Sequence, residues 1–94
     1  MNKILLITTI GCEGCKIQDR IIQEALKDID CVSYEKHDEY FLTDKVKKQY
    51  AIDDYPATLF IRTKPNKHDE ILKKIIGTTT KQDIINKIKD IFFS

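Results

Sequence analysis

The sequence predicts an α/β fold in the order βαβ(α)ββα, with a central four-stranded mixed sheet flanked by helices. Three observations predict it. Lys3 to Ile10 is a nearly continuous apolar run rich in Ile and Thr, with the length and β-branching of a buried strand. Directly after it, apolar residues recur at helical spacing. Near the C-terminus two further strand-like runs are joined by a connection too short for a crossover, so they pair antiparallel.

Taken in order, the first strand breaks at Gly11. Ile17, Ile21, Ile22, Ala25, Leu26 and Ile29 then define an amphipathic helix from about Glu13 to Ile29. Cys31 to Lys36 reads as a second strand, parallel to the first because a strand–helix–strand unit closes right-handed. Leu42, Val46 and Tyr50, four apart, mark a short helix. Pro56 precedes a third strand, Ala57 to Arg62. Pro65 and Asn66 mark a turn, and Glu70 to Ile76 returns as the fourth strand, ended by Gly77. A last helix carries Ile84, Ile85, Ile88, Ile91 and Phe92 on one face, and Thr80 with Asp83 forms a capping box at its start.

With 94 residues the chain is expected to be one domain, residues 1–94, with a modest core. It is 41% hydrophobic and 33% charged, which fits a folded globular protein rather than a disordered one. A net charge of +1 provides no field for nucleic acid or an anionic membrane, so neither is an expected partner. No apolar run reaches the ~18 residues of a membrane span. Three cysteines cannot build a disulfide framework; they suit a reducing compartment, here the cytoplasm, with one functional pair and one spare thiol. The opening "MNKILLITTIGC" faintly resembles a lipoprotein signal, but its apolar run is short and diluted by two threonines, so a lipid on Cys12 is not expected.

The element order locates the cysteines. Cys12 and Cys15 follow the first strand at the C-terminal edge of the parallel pair, where α/β sheets bind ligands. The helix then travels roughly 20–25 Å back, so Cys31 starts the second strand at the far edge, out of reach and expected to be buried and inert. Tyr55, Pro56, Thr78 and the His37–Asp38 corner are expected to face the pair, and His68, in the far turn, is not. By itself the Cys-x-x-Cys spacing fits a redox pair, a soft-metal clip or a lipobox.

"GCEGCK", Gly11 to Lys16, and "KKQYAIDDYPATLFI", Lys47 to Ile61, resemble the thioredoxin-like superfamily. The second segment is similar to that family's helix end, cis-proline loop and strand, with Pro56 at the cis-proline position. Almost the whole chain is covered, at a size near glutaredoxins and minimal thioredoxins. The pattern departs at Gly14, where thioredoxins usually have proline, at Gly11 in place of tryptophan, and at Leu6, where they carry a buried acid. Asp54-Tyr55-Pro56 replaces the glutaredoxin threonine–valine–proline loop.

The resemblance implies a thiol–disulfide oxidoreductase acting on protein or small disulfides, served by a separate reductase, working as a monomer, and needing no cofactor or metal beyond the Cys12–Cys15 pair. Cys12, at the helix start, is expected to be the nucleophile, and Cys15, within the first turn, the resolving thiol. Lys16 favours the Cys12 thiolate, Glu13 opposes it, and His37 is a candidate proton relay in place of Leu6. Substrate is expected to contact Gly11, Glu13, Gly14, Tyr55, Pro56 and Thr78, with the Tyr55–Pro56 bond cis and the Pro56 backbone pairing with an extended segment. Asp38, Asp53 and Asp54 make the rim acidic. Two other readings stay open: a copper(I) or other soft-metal chaperone using the same Cys-x-x-Cys, and a redox-silent thioredoxin-fold binding module.

Overall fold

The computed structural model describes residues 1–65 and 69–93. Strand β1, Asn2–Thr8, buries four consecutive residues, Ile4 to Ile7. Such a run requires cover on both faces. Its edges are paired as well: β2, Val32–Asp38, runs parallel on one side, and β3, Ala57–Arg62, antiparallel on the other. Strand β4, Glu70–Ile76, continues antiparallel, giving the order β2-β1-β3-β4. The register sets Ile7 beside both His37 and Ala57, and Ala57 beside Ile76. One sheet edge therefore collects the ends of β1, β2 and β4 and the start of β3.

Side-chain alternation divides the core. Ile4, Leu6 and Phe60 face helices α1, Glu13–Leu26, and α3, Lys81–Phe92, which supply Ile22, Ala25, Ile84, Ile88 and Phe92. The rings of Phe60 and Phe92 meet at 5.9 Å. Leu5, Ile7, Ala57, Leu59 and Ile61 face the other way, toward half-buried Leu42, Tyr50, Ile52 and Tyr55 around the short helix α2, Asp44–Tyr50.

Several expectations need correction. β1 stops at Thr8, and Ile10 enters a turn with Gly11, whose φ of +74° suits glycine; Ile10 is 85% exposed. Helix α1 ends at Leu26, and Ile29 follows in a turn whose N–H donates to Leu26 O. The buried stripe of α1 is Cys15, Gln18, Ile22 and Ala25, so Ile17 lies outside it and is 52% exposed. Cys31 is exposed, not buried: β2 begins one residue later, and Val32 takes the covered position on this edge strand. A 3-10 turn at Glu39–Phe41 precedes α2, which starts at Asp44 with Thr43 as its cap. Thr80 caps α3, its hydroxyl accepting from the Asp83 N–H at 3.1 Å. Asn66 and His68 lie outside the described residues.

Candidate functional site

Cys12 is the N-cap of α1. Its backbone is extended, and its sulfur accepts a hydrogen bond from the Cys15 N–H at 3.0 Å. The side chain thus satisfies one of the four N–H groups that a helix start leaves unpaired. Cys15 lies one turn in, 4% exposed, while Cys12 is half-exposed. The two are joined as a disulfide, with Cα atoms 5.2 Å apart. One sulfur thus faces outward and the other is shielded behind it.

The residues around the pair come from the collected edge. The Tyr55–Pro56 peptide is cis. A Cβ on Gly14 would lie 3.3 Å from the Thr78 methyl and 3.5 Å from Pro56 Cδ, so the bare glycine lets the first turn of α1 close on both loops. Pro56 has no N–H, and its carbonyl already accepts from Gly77 N–H at 2.8 Å, so its backbone is engaged with β4's exit rather than free. The Tyr55 N–H donates to Asp54 Oδ1 at 2.8 Å. Glu13 and Lys16 approach each other at 3.7 Å, both largely exposed, so their opposing influences on Cys12 offset one another.

His37 stands apart from the pair. Its ring lies 3.3 Å from Glu35, on the sheet face away from α1, and it does not line the groove beside the cysteines. His37, the candidate proton relay, thus shares a sheet face with Ile7 rather than with the helix that carries the cysteines. Asp38 caps the 3-10 turn through the Tyr40 N–H, and Asp53 is exposed. Cys31 precedes Val32, which pairs with Asn2, so the length of β1, roughly 20 Å, separates it from Cys12. Among the described residues no three His, Cys, Asp or Glu side chains are grouped to hold a metal, and no helix is long and apolar enough to cross a membrane.

Two polar clusters did not stand out in the sequence. Gln18, fully buried, donates to Thr58 and Thr79 hydroxyls, each at 3.1 Å, and accepts from the Thr79 N–H at 2.9 Å. It ties α1 to β3 and to the loop that presents Thr78. The detectable signals were the 15, 18, 22, 25 spacing with Cys15, and a lone threonine inside the buried strand "ATLFI". Asp19 accepts from Tyr34 at 2.7 Å, Gln23 at 2.9 Å and Lys36 at 3.0 Å. Burial alone would raise its carboxyl, but these hydrogen bonds and the Lys36 charge outweigh it and hold it below the ordinary carboxylate range. Burial first, then the bond to Asp19, raises the Tyr34 hydroxyl. Asp19 and Lys36 line a groove of about 480 Å³ along α1 that opens on Cys12 and Cys15.

No protein-family model and no curated protein sequence matches the chain. Solved structures do. Thioredoxin-2, a component of malaria parasite protein secretion machinery, superposes with a TM-score of 0.79 at 15% identity, covering 96% of this chain and 82% of its own. Oxidised mitochondrial thioredoxin 3 from Saccharomyces cerevisiae gives 0.73 at 18% identity, over 95% of this chain and 77% of its own. Trichomonas vaginalis thioredoxin gives 0.69 at 18%, over 90% and 78%. The four-stranded mixed sheet with three helices is thus a thioredoxin fold.

Proposed function

We propose that the protein is a thiol–disulfide oxidoreductase in which Cys12 attacks and Cys15 resolves. The observation that carries this reading is the capping sulfur: Cys12 accepts the Cys15 N–H at the positive end of α1 while Cys15 sits buried behind it. A thiolate there keeps that hydrogen bond and gains the helix field, which favours the nucleophilic form.

In the reductive direction the Cys12 thiolate attacks one sulfur of a substrate disulfide. That bond breaks, the leaving thiolate takes up a proton, and a mixed disulfide remains on Cys12. Cys15 loses its proton and attacks the Cys12 sulfur, releasing the second substrate thiol and closing the Cys12–Cys15 bond. Two electrons pass to the substrate, and an external dithiol reductant restores the pair. No further cofactor is required.

On this reading a substrate contacts Gly14, Pro56 and Thr78, which meet at the first turn of α1, together with Gly11, Glu13 and Tyr55. Because the Pro56 carbonyl is engaged by Gly77, pairing with an extended substrate falls to the Tyr55 carbonyl, and the Tyr55 N–H is available only if Asp54 lets go. The reading takes the chain as a monomer acting on protein or small disulfides in the cytoplasm. The test is trapping. Cys15→Ser incubated with a disulfide-bonded protein should accumulate a dithiothreitol-sensitive adduct on Cys12, and Cys12→Ser should not. Adducts on Cys15 instead would reverse the assignment, and adducts on neither would sink it.

A further inference from the structure

The groove beside the disulfide has a charge pattern of its own. Besides Cys12 and Cys15 it is lined by Lys16, Asp19, Arg20 and Lys36. The single carboxylate is already spent: Asp19 Oδ1 takes the Tyr34 hydroxyl and the Gln23 amide, and Oδ2 takes Lys36. That leaves the cations. Among the described residues Lys16 has only its loose, exposed approach to Glu13. Arg20 is exposed and has neither an ion pair nor a hydrogen bond among the described residues. The acids Asp38, Asp53 and Asp54 belong to other loops and none lines the groove.

We infer that this groove reads a carboxylate on the disulfide substrate, with Arg20 as its specificity-determining residue; the inference rests on the proposed thiol–disulfide exchange. Arg20 sits eight residues after Cys12 on the same helix, roughly 12 Å along the axis. Helical side chains lean back toward the N-terminus, the end that carries the sulfurs, and Arg20 lines the same groove as Cys12 and Cys15. A guanidinium can take a carboxylate by two parallel hydrogen bonds, the geometry that makes arginine selective for planar anions. The volume, about 480 Å³, suits a small molecule or a short peptide arm. The substrate class is therefore a disulfide with a carboxylate a few bonds from its sulfur, whether free or in an acidic peptide. Asp19, held by Tyr34, Gln23 and Lys36, has its oxygens engaged and does not compete with a substrate carboxylate for Arg20.

The test uses the pre-reduced full chain in single-turnover reactions with three disulfides: 4,4′-dithiodibutyrate, its uncharged dimethyl ester of the same length, and cystamine. The readout is each rate constant divided by that for the ester within the same variant, so a general change in thiol reactivity cancels. The wild-type ratio for dithiodibutyrate should fall on the order of fivefold in Arg20→Ala and further in Arg20→Glu, with Arg20→Lys between wild type and Arg20→Ala. The cystamine ratio should rise in Arg20→Glu, and the dithiodibutyrate preference should weaken with added salt. A cysteine peptide disulfide with flanking glutamates should follow dithiodibutyrate across the variants if an acidic peptide is the natural source, and follow the ester if a free small disulfide is. Ratios that stay constant across the variants would overturn the inference while leaving the exchange chemistry intact. A wild-type chain that reduces none of the three would overturn the inference that the groove admits a carboxylate-bearing disulfide, while the trapping experiment decides the exchange reading separately.

Discussion

The two faces of the sheet are covered very differently. Toward α1 and α3, Ile4, Leu6 and Phe60 meet two long helices that bury Ile22, Ala25, Ile84 and Ile88. Toward α2, Leu5, Ile7, Leu59 and Ile61 meet a seven-residue helix with no buried residue of its own. The cysteine pair rides on the thick face through α1. The Tyr55–Pro56 loop belongs to the thin one. The difference teaches that the sulfurs are held by the stable part of the molecule, while the loop that borders them hangs on the less covered part.

The largest effect should come from the thick face. Phe60→Ala removes a fully buried ring in contact with Phe92 and should cost about 3–5 kcal/mol, read by urea unfolding. Tyr50→Ala, half-buried on the thin face, should cost roughly 1 kcal/mol. Equal losses would break the comparison. Next is Gln18→Leu, which strips Thr58 and Thr79 of their shared partner and should cost about 1–3 kcal/mol. If Gln18 also fixes the Thr78 loop against Gly14, trapping by Cys15→Ser should slow in the double variant beyond what lost stability explains.

A pH-dependent effect follows. Asp19 is held below its ordinary value, so its contribution is present above the unfolded carboxylate range and is lost as pH falls through the folded value. Asp19→Asn should therefore destabilise at neutral pH and lose that deficit in acid; thermal unfolding from pH 7 down to pH 2 reads it. A deficit that is constant across this range would contradict the assigned hydrogen bonds. The smallest effect sharpens the thin face. Ala51 ends α2 with φ +53°, a left-handed conformation that strains a residue with a Cβ. Ala51→Gly should stabilise by at most about 1 kcal/mol.

The order and direction of the elements were legible in the sequence because period-2 and period-3.6 patterns and short connections constrain them strongly. β3 and β4 fall at their expected bounds. The site was legible as far as chain order reaches: Cys12 at a helix start, and Pro56 and Thr78 brought to it by strand direction. What was hidden depends on which side chains meet. Ile17 looked like core because it is apolar, yet the buried stripe runs through Gln18, whose amide is satisfied by two threonines 40 and 61 residues away. Cys31 looked buried because cysteine usually is, but a one-residue shift in the start of an edge strand exposes it. The engaged Pro56 carbonyl and the spent charge of Asp19 are likewise pairings that no local pattern announces.

On the proposed function, Cys12 and Cys15 form a reversible redox pair rather than a metal clip. Titrating the pair in dithiothreitol and glutathione buffers, with copper(I) added in parallel to the reduced chain, tests it directly. A redox pair should give a reversible two-electron transition at roughly −270 to −200 mV, the span from thioredoxin to glutaredoxins, with copper(I) held no more tightly than by a simple dithiol. A pair that does not oxidise reversibly in these buffers, or that retains copper(I) against a strong competing chelator, would contradict it.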